Sequence, residues 1–142
     1  MATYYLDASA LVKYYILEPG STWVRELVDV SVPDNGARAN SILVSEASIA
    51  ECAAAFAVLF RTRRISLRAR DGAFRAFMHH LATARFHPIR VLTEDFYTAA
   101  HLTQRHPLKA YDAVQLAVAL RCQQVLASFP SPSPSSAATG RS

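Results

Sequence analysis

The sequence predicts an α/β fold built on a parallel sheet. Two observations carry that expectation. Short β-branched or aromatic runs alternate with longer apolar helical stretches along the 142 residues, and two of those helical stretches are apolar nearly all round. Such alternation points to right-handed βαβ crossovers, which lay helices over both faces of a parallel sheet. The expected strands lie at 3–6, about 42–44 and 89–92, in a three-layer arrangement with the sheet in the middle.

The first element organises the rest. Thr3-Tyr4-Tyr5-Leu6 suits a pleated, half-buried strand, and Asp7-Ala8-Ser9 then leads into the helical Ala10-Leu11-Val12. Ser9 reads as the N-cap of a helix reaching to about residue 17, where Pro19-Gly20 stops it. Asp7 then stands just outside the carboxyl end of a strand, the place where open parallel sheets hold their ligands. A second reading stays open: Asp7 shares the cap with Ser9 and does nothing more.

Composition narrows the function classes. A chain of this length with 51% hydrophobic residues suits one compact domain with a real core. Fifteen basic against eleven acidic residues give +4, a mild bias toward anionic partners. Cys52 and Cys122 match no zinc spacing and no disulfide framework, and each sits in an apolar run as a small core residue would. The N-terminus lacks a basic leader, Asp7 and Lys13 interrupt its apolar stretch, and no run is long enough to span a membrane. The expected location is the cytoplasm.

The remaining elements follow in order. Ser21 or Thr22 caps a second helix with Trp23, Val24, Leu27 and Val28 on one face. A turn-rich loop leads to the apolar Ile42-Leu43-Val44. The stretch 49–61 is almost wholly Ala, Cys, Phe, Val and Leu, so a helix buried all round is expected. Its one acid, Glu51, has two readings: a capping box with Ser48, or a carboxylate needing a cation beside a buried face. Ser66 caps the next helix, which is expected to turn Leu67, Phe74, Phe77, Met78 and Leu81 inward. Arg61, Arg63, Arg64, Arg68, Arg70 and Arg75 suit either a phosphate backbone or a solvated helix face. His79 and His80 point apart on a helix and receive no role.

Thr93 caps a helix whose Glu94 and Asp95 complement its dipole. The final helix, about 109–120, carries Asp112 in its first turn, either as dipole compensation or as a charge awaiting a partner. Residues 125–128 fit a short strand or a helix end equally well. The organisation expected is a domain over 1–128 and a disordered Ser/Pro-rich tail over 129–142.

Asp7, Glu51 and Asp112 each end a strand or open a helix in the βα series. Carboxylates gathered at one sheet edge repel unless a hard cation lies between them, and Mg²⁺ or Mn²⁺ prefers oxygen ligands. Such an ion activates water and stabilises a phosphoryl transition state. Beside a basic surface, the substrate class is a phosphodiester.

Leu6-Asp7-Ala8-Ser9-Ala10-Leu11-Val12-Lys13, Ile49-Ala50-Glu51 and Ala110-Tyr111-Asp112-Ala113-Val114-Gln115-Leu116-Ala117 resemble the three ordered motifs of PIN-domain proteins, above all the VapC toxins of toxin–antitoxin pairs. The resemblance covers roughly residues 3–121. It implies an α/β/α sandwich and a Mg²⁺- or Mn²⁺-dependent ribonuclease that forms a homodimer and is inhibited by a cognate antitoxin. On that reading Asp7 and Asp112 bind metal, Glu51 holds or activates its water, and Ser9 supports the first acid.

The chain departs from the family pattern at its end, with no acid after Asp112 where the family has a fourth acid and further strands. The expectation is a sheet missing its last strand or strands, with an open edge on 3–6, and a weakened site. Two alternatives stand beside the nuclease. One is a catalytically inactive PIN-like module that binds an antitoxin or RNA. The other is an aspartate-nucleophile phosphatase, disfavoured because Ser9 occupies the place of the usual second Asp.

Overall fold

In the computed structural model, which describes residues 2–34 and 36–128, three strands form a parallel sheet. They are β1 (Ala2–Tyr5), β2 (Asn40–Ser45) and β3 (His87–Ile89), in the order β1-β2-β3. Tyr5 pairs with Leu43, and Ser45 pairs with Ile89. The predicted parallel α/β fold is therefore the one observed. β2 is central because Ile42 and Val44, exposed 1% and 0%, can be covered on their face only by an interior position. β1 lies at the edge of the described sheet, and Ala2, Thr3 and Tyr4 are exposed. β3 is earlier and shorter than the expected 89–92. Its ladder stops at Ile89 because β2 ends at Ser45, its last register partner.

The chain divides into two compact units, Met1–Thr93 and Glu94–Ser142. The expected tail at 129–142 lies outside the described residues. In the first unit, α1 (Ala8–Tyr15) packs on α2 (Ser21–Asp29) and α3 (Ala47–Arg61), and α3 packs on α4 (Leu67–Ala82). Their core joins Leu11, Val24, Val28, Cys52, Phe56, Phe77 and Phe86 to the strand residues. An aromatic cluster extends it. Tyr15 meets Phe56 and Phe77 edge-on, each at 5.8 Å, and stacks on His80 at 5.6 Å. The Tyr15 hydroxyl lies 2.6 Å from His80 Nδ1, so His80, left without a role by the sequence, is a structural partner. Beside it, the Tyr14 hydroxyl donates to Asp29 at 2.6 Å and accepts from Arg85 at 2.7 Å. Burial is the main reason both tyrosines hold their protons more tightly and His80 less tightly than usual.

Several helix faces differ from expectation. α2 is capped by Gly20, in the left-handed region at φ 95°, rather than by Ser21 or Thr22. Ser21 is buried inside the first turn, where its hydroxyl donates to Ile16 O and accepts from Glu18 N. Trp23 is 61% exposed, because Val24 and Val28 set the inward face and Trp23 lies a quarter-turn round from it. α3 is not buried all round: Ser48, Cys52 and Phe56 form one covered stripe while Val58 is exposed. Its alanines make it apolar by count without demanding burial. In α4, Ala73 and Phe77 choose the inward face, which leaves Leu67, Phe74 and Met78 outside.

The second unit holds α5 (Thr93–Arg105) and α6 (Ala110–Ser128). Asp95 is not a simple dipole residue. It is 2% exposed and takes a bidentate grip from Arg121, with Nε to Oδ1 and Nη2 to Oδ2 both 2.9 Å. Residues 125–128 continue α6, which settles the strand-or-helix ambiguity in favour of helix. α6 buries Ala113, Val114, Gln115, Ala117, Val118 and Cys122 but leaves Tyr111, Leu116, Val125 and Leu126 exposed, so it too is not covered all round. Among the described residues no helix is long and apolar enough to cross a membrane.

Candidate active site

Asp7 sits where β1 passes into α1. Its backbone is extended, φ −81° and ψ 174°, and its Oδ1 accepts from Ala10 N at 2.9 Å. Asp7 is thus the N-cap, and the expected cap, Ser9, is an exposed residue inside the first helical turn. The physical reason is that Ala8 is already helical, so the chain turns one residue before Ser9 could close it. Capping uses one carboxylate oxygen. Among the described residues the other oxygen takes no hydrogen bond or ion pair.

α3 likewise starts earlier than the capping-box reading requires. Its N-cap is Glu46, whose side chain makes no capping bond, and Ala47 is its first residue. Ser48 therefore lies inside the first turn, fully buried, instead of at the cap. Glu51 is a residue of the second turn and half-buried.

One contact relates these two acids. The Cys52 thiol lies 3.7 Å from Ala8 O, and each of these residues directly follows an acid in the chain. The thiol is pushed up to about 12, by burial foremost and then by the Glu51 and Asp7 carboxylates. Two negative charges therefore act on the same buried sulfur, and the start of α1 and the second turn of α3 share one neighbourhood. Extending the β1–β2 register by two residues sets Ser45 level with Asp7. Ser45 is fully buried, and its hydroxyl accepts from Ala47 N at 3.0 Å. Its position straight after the apolar run Ile42-Leu43-Val44 is the one signal the sequence offers for it.

Asp112 occupies the first turn of α6 and is exposed, with the buried Gln115 one turn on. It belongs to the second unit, whereas Asp7 and Glu51 belong to the first. Among the described residues of either unit, no three His, Cys, Asp or Glu side chains group closely enough to hold a metal ion within that unit. Asp7 and Glu51 supply hard oxygen donors, the chemistry that suits Mg²⁺ or Mn²⁺. The candidate site carries positive charge at some remove along the chain: Arg61, Arg63 and Arg64 are exposed at the end of α3 and make no ion pair among the described residues.

Comparison with known proteins bears on the fold and the family. No curated protein matches the sequence. Among solved structures, the crystal structure of Mycobacterium tuberculosis VapC20, a toxin described as cleaving the sarcin-ricin loop, matches with a TM-score of 0.59. That likeness has 18% identity and covers 85% of this chain and 83% of the toxin, so it speaks for the fold. The model of the PIN domain matches residues 4–129. The protein belongs to the PIN-domain family.

Proposed function

We propose that the protein is a metal-dependent endoribonuclease, the toxin of a toxin–antitoxin pair. The observation that carries the reading is the shared neighbourhood of Asp7 and Glu51, the first placed by the end of a parallel strand. Such a strand end is where a sheet of this kind puts its chemistry. Family membership supports hydrolysis of a phosphodiester, and the toxin of similar fold supports RNA as the substrate class.

Asp7 and Asp112 would hold Mg²⁺ or Mn²⁺, with Asp7 offering the oxygen its cap does not use. When bound, the ion polarises a phosphate oxygen and acidifies a water molecule. Glu51 would orient that water and accept its proton at a carboxylate oxygen. Ser9, in the turn that Asp7 caps, would support the first acid. Arg61, Arg63 and Arg64 would draw the RNA backbone toward the chain. The partners that go with this reading are RNA, a cognate antitoxin and a second copy in a homodimer, and the compartment is the cytoplasm.

A second reading has its own observation. Among the described residues no three His, Cys, Asp or Glu side chains group closely enough to hold a metal ion within either unit. An inactive module that binds RNA or an antitoxin would need no such group. Incubation with structured and unstructured RNA across a Mn²⁺ series distinguishes them. Cleavage that EDTA and Asp112→Asn both abolish supports the nuclease. RNA or antitoxin binding without cleavage at saturating metal supports the inactive module.

A further inference from the structure

Ser45 is as fully buried as Ile42 and Val44 before it, yet it carries a hydroxyl where they carry methyl groups. A buried polar group costs stability unless its hydrogen bonds are made. The Ser45 oxygen accepts from Ala47 N at 3.0 Å, but among the described residues the hydroxyl proton goes to no acceptor. Ala47 opens α3. Glu46, in the cap position, makes no capping bond, so the serine one residue further back holds the amide at the helix start. The junction is braced from the other side as well, where Glu46 N donates to Ile89 O at 2.9 Å. Ala47 stands one turn ahead of Glu51, on the same face of α3. Ser45 also stands level with Asp7. Leu6 N donates to Leu43 O at 2.9 Å, which carries the β1–β2 ladder one residue past β1. Asp7 keeps an extended backbone, so the two side chains leave the same face of neighbouring chain segments about 4.8 Å apart.

We infer that Ser45 is a positioning residue for the acid pair, acting on Glu51 through the start of α3 and on Asp7 through its unspent proton. The inference rests on the nuclease reading and deepens it. Asp7 gives one oxygen to Ala10 N and has the other to offer, and the Ser45 hydroxyl is a donor on the adjoining strand at the same level. A carboxylate that ligates a cation is itself oriented by hydrogen bonds from behind, and losing such a bond typically costs about 10–100-fold in metal affinity. Ser45 supplies that bond to Asp7 in the ion-loaded protein, while its oxygen keeps hold of Ala47. The Cys52–Ala8 contact joins α3 to α1 by packing alone; Ser45 joins both acids to the end of the sheet. A serine that only closed the strand would steady α3 and leave the ion affinity of the folded protein untouched. That difference is what the experiment reads.

The test titrates Mn²⁺ alone into the full chain by calorimetry, with urea unfolding to confirm that each variant is folded. Ser45→Ala should bind Mn²⁺ about tenfold or more weakly than wild type. Ser45→Thr, which keeps the hydroxyl, should bind close to wild type. Ser45→Val has the shape of threonine without the hydroxyl, and it should bind as weakly as Ser45→Ala. The Thr and Val pair keeps the test alive if Ser45→Ala folds poorly, since any crowding is common to both. In the metal-free protein the Ala47 amide should exchange with solvent faster in Ser45→Ala and Ser45→Val than in wild type and Ser45→Thr. Cleavage of a uridine-rich single-stranded oligonucleotide by Ser45→Ala should recover as Mn²⁺ is raised, because the loss lies in ion affinity. Wild-type Mn²⁺ affinity in folded Ser45→Ala and Ser45→Val overturns the inference and leaves the nuclease reading standing. So does an affinity loss that Ser45→Thr shares with Ser45→Val. A wild type that neither binds Mn²⁺ nor cleaves the oligonucleotide overturns the nuclease reading, and the inference with it.

Discussion

Cys52 Sγ lies 3.7 Å from the carbonyl oxygen of Ala8, and that contact ties the second turn of α3 to the first turn of α1. Because Asp7 precedes Ala8 and Glu51 precedes Cys52, a packing contact between two apolar positions also sets the spacing of two acids. The thiol's own chemistry is suppressed: burial, with help from Glu51 and Asp7, pushes it up to about 12. At neutral pH it should stay protonated, and an unprotonated thiol is what reacts. Native protein should therefore resist thiol-reactive dye at Cys52 until it unfolds. Rapid labelling of Cys52 in the folded state would contradict the packing described.

Asp7 has two duties that one pair of substitutions separates. Asparagine caps a helix about as well as aspartate, whereas alanine forfeits the bond to Ala10 N at a cost of about 1 kcal/mol. Asp7→Asn should melt with the wild type and lose RNA cleavage. Asp7→Ala should lose both activity and stability, measured by urea unfolding. Full activity in Asp7→Asn would reduce this residue to a cap.

Much of this was legible in the sequence, and the failures share a cause. Strand–helix alternation revealed the parallel sheet because β-branched and aromatic runs have few other uses. The three motifs offered Asp7, Glu51 and Asp112 as candidates because acids amid apolar stretches are conspicuous; the Cys52–Ala8 contact relates the first two, while Asp112 belongs to the other unit. Helix starts at Ser9 and Ser48 were misjudged: Asp7 caps as well as a serine would, and α3 begins at Ala47 behind Glu46, whose side chain makes no capping bond, so no cap residue marked its start. Helix faces in α3 and α4 were misjudged because alanine-rich or doubly apolar helices offer two stripes, and only tertiary packing chooses between them. The Asp95–Arg121 pair joins residues 26 positions apart, a distance over which periodicity says nothing.

That pair should matter for stability. Asp95 is buried while Arg121 keeps partial contact with water, so losing the acid strands a guanidinium that solvent only partly rescues. Asp95→Ala should cost about 2–4 kcal/mol in urea unfolding. Glu94→Ala, beside it and exposed, should stay within about 0.5 kcal/mol of wild type. Equal effects would mean that the pair adds nothing beyond helix-dipole compensation.

His80 gives the fold a pH dependence of defined sign. Burial first, then Arg85 and His79, lower its proton affinity from the ordinary 6.5, with Asp29 opposing and Arg38 adding slightly. The unfolded chain thus binds more protons at this position in the window just below that value. Stability should rise with pH through the window and be complete above it. His80→Gln should flatten that part of the profile. A profile that falls with rising pH over the same range, and flattens on the same substitution, would contradict the burial of His80 against Tyr15.

The proposed nuclease requires Asp7, Glu51 and Asp112 to act on one divalent ion. Calorimetric titration of Mn²⁺ into the RNA-free protein tests it most directly, with Asp7→Asn and Asp112→Asn measured alongside and unfolding curves confirming that each is folded. The wild type should bind one Mn²⁺ per chain, and each variant should lose about tenfold or more in affinity. Wild-type affinity in both folded variants would contradict it.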